Sequence, residues 1–445
     1  MNPSPPELRR AIGLVQATAM VVGIMIGASI FVQPSEITGR VPSVPGVFAV
    51  WLVSGLLTFI GALVCAELAS TFVRSGGVYI YLREAYSPAV GFLWGWAMFW
   101  SIHSGIIAAV SVIFARYASY FLPMSDISTK GLAVAAILVL SAVNYIGVKQ
   151  GSAFQTLLTI GKATAILFIV VLGFGLGAGI PRHFAAGEVA DHRVTGSNFL
   201  LALVAGLFAF GGWHMVTYNS EETVNPRKTI PRALMLGTLI VTACYLATNT
   251  VYMYVLPLGT VAASTRIAAD VADALMGYGG GAFMSGVVMF STLGCVSGLI
   301  LCGPRVYYAM ARDGLLFRWI GAVHPRFGTP HNAIILQALW SSLLVLTGTY
   351  RALFSRVVYT EWIFFALMTV GLFVLRRRKG ITRDYRMWGY PVIPALFVFS
   401  SLGIVANQII SSPRESTFGL SLVLLGLPVY YLRARKAKEM RYAGH

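Results

Sequence analysis

Lys162 is the residue whose placement most demands a chemical explanation. It lies about nine residues into the apolar stretch 153–179, hence roughly 13 Å along a helix that rises 1.5 Å per residue. A lysine side chain snorkels only part of that distance. Centring its charge in hydrocarbon costs about 2.5–3.5 kcal/mol even on lenient scales. Either a polar site compensates the ammonium, or the helix begins earlier and Lys162 is shallow and structural. His103, Glu67, His214, Glu221, Glu222 and Glu361 pose the same question less sharply. Glu67 and the Glu221-Glu222 pair fall near the ends of apolar stretches, where a solvated or ion-paired carboxylate is the simpler reading. His103 and His214 read as hydrogen-bonded packing residues before they read as proton carriers. No HExxH, GxSxG or GxxxxGK[ST] pattern stands in a supporting context, so the chain is not read as a protease, esterase or ATPase. Cys65, Cys244, Cys295 and Cys302 lie in apolar stretches without CxxC spacing. They read as buried, space-filling thiols, with no metal, cofactor or disulfide implied.

Composition dictates the elements that must carry these residues. Hydrophobic residues make up 57% of the 445 and charged residues 11%, with a mean hydropathy of +0.75. A soluble domain needs roughly 25% charged residues to cover its surface, so most of this surface faces lipid. The apolar runs are 11–33, 44–68, 90–122, 131–148, 153–179, 197–220, 233–256, 282–311, 332–349, 356–375, 391–410 and 417–432. Each approaches or exceeds the ~20 residues that cross the hydrocarbon. Twelve transmembrane helices in a single domain, residues 1–445, are therefore expected. A short helix outside the membrane fits Leu258 to Gly281. Arg9 and Arg10 precede the first run, but its length and the Phe31-Val32-Gln33-Pro34 end exclude a signal peptide.

The formal charge of +17 invites a nucleic-acid reading, which the distribution of charge argues against. Of the 33 Lys and Arg, 23 fall in loops on the side of the N-terminus and 9 on the other, with Lys162 inside a run. That asymmetry is the positive-inside signature and predicts a multi-pass protein with both termini cytoplasmic. The basic cluster Arg433–Arg441 reads most simply as the end of helix 12 meeting the anionic inner leaflet.

Two runs break their helical pattern alike. Run 1 carries Val22-Gly23-Ile24-Met25-Ile26-Gly27-Ala28-Ser29, and run 6 carries Ala205-Gly206-Leu207-Phe208-Ala209-Phe210-Gly211-Gly212. They stand five helices apart and begin on opposite sides of the membrane. Two inverted five-helix repeats, about 11–180 and 197–375, with helices 11 and 12 at about 391–432, match that placement. Unwinding frees backbone groups at membrane depth, and a polar substrate can satisfy them. Gly23-x-x-x-Gly27 is equally a small-residue packing pattern, so each break alone also reads as close packing.

Longer strings are specific. Gly61-Ala-Leu-Val-Cys-Ala-Glu67-Leu68 with Ser75-Gly76-Gly77-Val78-Tyr79-Ile80-Tyr81-Leu82-Arg83-Glu84-Ala85 resembles the helix 2–3 signature of the amino acid–polyamine–organocation (APC) transporters. Gly206-Leu-Phe208-Ala-Phe-Gly211-Gly-Trp213 and Glu221-Glu222-Thr-Val-Asn225-Pro226-Arg-Lys-Thr-Ile-Pro231 resemble that superfamily's helix 6 and the loop after it. Asn144-Tyr-Ile-Gly-Val148-Lys149, Gly161-Lys162 and the stretch from Arg305-Val-Tyr307 to Arg312-Asp313-Gly314 are similar to its L-type amino acid transporter branch.

The resemblance implies an all-α LeuT-type 5+5 inverted repeat with discontinuous helices 1 and 6. It implies a substrate site between those helices midway across the membrane. The substrate carboxylate would meet backbone around Gly27, Ala28 and Ser29. The amino group would meet carbonyls around Met25, Phe208, Ala209 and Gly211, with Phe208 as the aromatic gate. Where the family usually has Gly-Ser-Gly, this chain has Gly27-Ala28-Ser29, and His214 stands where relatives often have an amide. A Lys162 ammonium would stand in for the cation that sodium-coupled proteins of this fold hold between helices 1 and 8.

The expectation is a sodium-independent exchanger of neutral L-amino acids in a plasma membrane, the inner membrane if bacterial. Its alternatives are a proton-coupled symporter using Lys162 and a non-transporting amino acid sensor. The resemblance implies that a disulfide-linked heavy chain, as in animal relatives, would attach through a cysteine between helices 3 and 4; Pro123-Met-Ser-Asp-Ile-Ser-Thr-Lys130 lacks one, so no such partner is expected.

Overall fold

Three helix starts carry a side-chain cap. Ser43 accepts the Gly46 amide (3.3 Å), Thr195 that of Asn198 (3.1 Å) and Thr349 that of Ala352 (3.2 Å), each satisfying an orphan first-turn donor. The computed structural model describes residues 12–74, 76–146, 166–175, 183, 194–277 and 279–433. Run 1 forms α1 (Leu14–Met25), a 3-10 turn (Ser29–Phe31) and α2 (Gln33–Thr38). Then come α3 (Val44–Thr71), α4 (Val78–Ala85), α5 (Pro88–Ala97), a π turn (Met98–Ile102), α6 (His103–Ala118) and α7 (Asp126–Ile146). The described part of run 5 is α8 (Ile166–Gly175). Run 6 forms α9 (Gly196–Ala209) and a 3-10 segment (Trp213–Glu222). The remainder is α10 (Pro226–Val255), α11 (Leu258–Ala263), α12 (Ile267–Met276), α13 (Gly280–Arg312), α14 (His331–Thr347), α15 (Tyr350–Arg377), α16 (Val392–Ser411) and α17 (Pro413–Leu424).

Ten of the described helical spans are long and apolar enough to cross a membrane, against twelve expected runs. The two others are α14, at 17 residues, and run 5, which lies mostly outside the described residues. Lys162 lies there too. The expected helix at 258–281 resolves into two, α11 and α12, parted at Ser264.

Small residues let α1, α3, α9 and α10 approach closely. A methyl on Gly55 would lie 2.7 Å from Thr242 Oγ1, and Gly237 faces Val21. The buried-thiol expectation holds for Cys65 alone: Cys244 and Cys295 are part-buried and Cys302 is exposed. Apolar stretches do not reveal which helix face turns to lipid, and a thiol is apolar enough for either.

Glu67 is fully buried at the end of α3. Arg376 Nε and Nη2 donate to its two oxygens at 2.8 and 2.5 Å, the Met387 amide adds a bond of 2.8 Å, and Arg383 stands 3.8 Å away. This ties α3 to the end of α15 and the following loop, so Glu67 takes the ion-paired reading. Glu67→Gln is expected to lower unfolding stability by about 2–3 kcal/mol, because two arginine bonds lose their charged acceptor. Thermal unfolding of the detergent-solubilised protein measures this, and an unchanged midpoint would show that the pair contributes nothing net.

Candidate functional site

The first break begins as an inverse γ-turn. Ile26 has φ −70° and ψ 76°, and the Gly27 amide folds back onto the Met25 carbonyl at 2.7 Å. Regular bonding resumes with Phe31 N to Ala28 O and Val32 N to Ser29 O, both 3.1 Å. Among the described residues, the amides of Ala28, Ser29 and Ile30 between them have no backbone acceptor. Three successive donors of this kind form a cradle for an anion such as a carboxylate. Gly27 leaves room beside it, since an added Cβ would meet Cys295 Sγ only at 3.6 Å.

The second break ends α9 at Ala209. Gly211 N bonds Phe208 O at 3.1 Å, Gly212 turns left-handed at φ +89°, and the 3-10 segment follows. A left-handed residue after a helix end costs glycine nothing. Ile24 of α1 packs on Gly212, at 2.5 Å from where a Cβ would stand, so the two breaks are neighbours.

Tyr245 of α10 joins them, and the sequence reading passed over it. Its hydroxyl lies 2.7 Å from Met25 O and 2.9 Å from Ala209 O, while its ring is wedged against Trp51 and Phe210 at centroid distances of 5.4 and 5.0 Å. The one signal was a tyrosine mid-membrane, whose hydroxyl must find a partner when buried. Of the four carbonyls expected to meet an amine, Met25, Phe208 and Ala209 already accept a bond here. Gly211 O has no hydrogen-bond donor among the described residues. The structure thus brings Met25, Gly27, Ala28, Ser29, Phe208, Ala209 and Gly211 to one place.

The α2 side of this place is covered. Phe208 packs on Phe354 (centroids 5.6 Å), Tyr117 donates to Phe31 O at 2.7 Å, Gln33 donates to Tyr350 at 3.1 Å and Arg351 pairs with Glu36 at 2.6 Å. On the other side, the strand-like pairing of Ile12 with Thr223 ties the chain just before α1 to the end of the run 6 segment.

Two weak sequence signals also meet. His214 Nδ1 stands 3.8 Å from Glu361 Oε1, both buried, beneath the rings of Trp94, Trp213, Tyr218 and Phe365. Among the described residues neither His214 nitrogen nor Glu361 Oε1 has a hydrogen-bond partner. His103 has its Nε2 2.8 Å from Leu299 O, while its buried Nδ1 has no hydrogen-bond partner among the described residues. No group of three His, Cys, Asp or Glu that could hold a metal ion occurs among the described residues.

A family model described as amino acid permease matches residues 12–428. The chain is 33% identical to a serine/threonine exchanger (SteT) of Bacillus subtilis, over 98% of this chain and all of that one. It is 31% identical to the human b(0,+)-type amino acid transporter 1, over 97% of this chain and 89% of that one. With the human cystine/glutamate transporter it shares 30%, over 97% of this chain and 87% of that one.

Proposed function

The chain belongs to the amino acid permease family of the APC superfamily, and from that premise we propose that it exchanges neutral L-amino acids across a plasma membrane without sodium, by alternating access. The observation that carries the reading is the meeting of two helix breaks at buried Tyr245. In this proposal a substrate carboxylate takes the amides of Ala28, Ser29 and Ile30, beside Gly27. Its ammonium takes Gly211 O and the spare lone pairs of Met25, Phe208 and Ala209, and Phe208 closes the path by lying on Phe354. Serine and threonine are the first substrates to test, since the Bacillus subtilis relative exchanges them.

The wider reading keeps twelve helices in a LeuT-type 5+5 inverted repeat, with both termini cytoplasmic and no cofactor or disulfide-linked heavy chain. Lys162 serves in it as a fixed internal cation that removes the need for sodium. A second reading, proton-coupled symport, draws support from the His214–Glu361 contact. An ionised carboxylate is costly at this depth, whereas a neutral pair and an ion pair both carry zero net charge. A proton shared between the imidazole and the carboxyl changes no net charge in the membrane, and coupling would come from its release to one side and its replacement from the other.

The test is labelled serine flux into proteoliposomes, with choline replacing sodium, with and without internal substrate, across a pH series. Exchange is expected to persist in choline and to require internal substrate, and Lys162→Ala is expected to slow it about tenfold or more, as loss of roughly 1.4 kcal/mol would. A strict sodium requirement would defeat the fixed-cation role. Uptake into empty vesicles driven by a pH gradient and lost in Glu361→Gln would establish the second reading instead. Absence of any flux would leave the sensor.

A further inference from the structure

Away from the two breaks, a cavity of about 400 Å³ opens sideways between α5 with its π turn, α13 and α14. Its walls carry Trp96, Trp100, Trp340 and Leu339, and Phe317 and Trp319 stand at its mouth. Trp340 Nε1 donates to the Trp100 carbonyl at 3.0 Å, so that indole has spent its polar atom and the slot is apolar. The wall formed by α14 runs from Ala333 to Leu343, about 15 Å at 1.5 Å per residue. That is a slot for a single extended hydrocarbon chain.

The mouth has a different character. The Arg433 guanidinium lies over the Phe317 ring, 4.5 Å from its centroid. Its Nη1 is buried with no hydrogen-bond partner among the described residues, and exposed Arg318 is the next residue after Phe317. Asp313, the acidic group of the same loop, receives the Tyr79 hydroxyl at 3.2 Å. An arginine donor without an acceptor, set where an apolar slot meets the membrane surface, is complementary to an anion carried on a hydrocarbon chain.

We propose that this groove is a binding site for an anionic phospholipid, with one acyl chain along Trp96, Trp100 and Trp340 and the phosphate against Arg433 and Arg318. The site is separate from the candidate transport site, so it does not depend on that reading.

The protein is placed in phosphatidylcholine vesicles containing a fixed fraction of phosphatidylglycerol, with bromine on the acyl chains of one lipid or the other. Bromine quenches tryptophan fluorescence on contact. Phosphatidylglycerol-borne bromine is expected to quench more per mole than phosphatidylcholine-borne bromine. Arg433→Gln is expected to lower that preference about fivefold, the effect of one basic residue at an anionic surface. Arg318→Gln, on an exposed loop residue, is expected to lower it in the same direction, and it decides the matter should the first variant not fold. Equal quenching by both lipids in the unaltered protein would reduce the groove to ordinary bilayer contact and overturn the proposal. So would an excess that survives both substitutions, an excess abolished by added inorganic phosphate, or a groove shielded because a second copy of the chain covers it.

Discussion

Replacing Gly211 with leucine is expected to reduce amino acid flux about 100-fold or more, corresponding to at least about 2.7 kcal/mol lost from the transport cycle, while the protein still folds. A Cβ at this position would meet only the Phe208 carbonyl, at 3.1 Å, and nothing else within 4 Å. Gly211 is part-exposed where its neighbours are buried. A leucine side chain therefore enters open space, whereas at Gly206, which abuts Ser54, it would force α9 from α3. The space it enters adjoins the Gly211 carbonyl, the acceptor left for a substrate ammonium. Flux in proteoliposomes, with a monodisperse size-exclusion profile as the folding control, measures the result. Wild-type flux in Gly211→Leu would assign the glycine to packing and remove the amine site from this break.

Tyr245→Phe comes next, with an expected loss of about 10- to 30-fold in flux, or roughly 1.4–2 kcal/mol. The substitution keeps the ring against Trp51 and Phe210 and removes one oxygen. Ala209 O then loses its donor while Met25 O keeps the Gly27 amide, and a buried carbonyl deprived of its partner costs about 1–3 kcal/mol. The hydroxyl also fixes the spacing between the breaks, so the effect should appear in substrate affinity as well as in rate. Tyr252→Phe supplies the control. Its hydroxyl is buried on the same helix with no partner among the described residues, so flux should stay near wild type. Equal behaviour of the two variants would reduce Tyr245 to a space-filling residue.

Much of this was legible from the chain alone. A backbone crossing lipid must satisfy its hydrogen bonds within itself, so apolar length and loop charge register as local properties of the sequence. The two breaks were visible for the same reason. Gly27-Ala28-Ser29 and Gly211-Gly212 place small residues where a helix would otherwise continue, and the structure interrupts it at Ile26 and Gly212.

What the sequence could not supply was the identity of partners. Tyr245 lies 220 residues from Met25, and Arg376 lies 309 from Glu67. His214 and Glu361 looked like separate, weak signals until tertiary packing set them 3.8 Å apart. Nor could it tell the lipid face of a helix from the protein face, as Cys302 shows, because a helix apolar all round carries no periodic mark of its inward side. Hydropathy and backbone bonding are local, so ten described spans long and apolar enough to cross a membrane, and the two places where the chain unwinds, could be read from the sequence. Which carbonyl meets which hydroxyl, and which carboxylate meets which base, depends on groups brought together through space, and only the tertiary structure decided that.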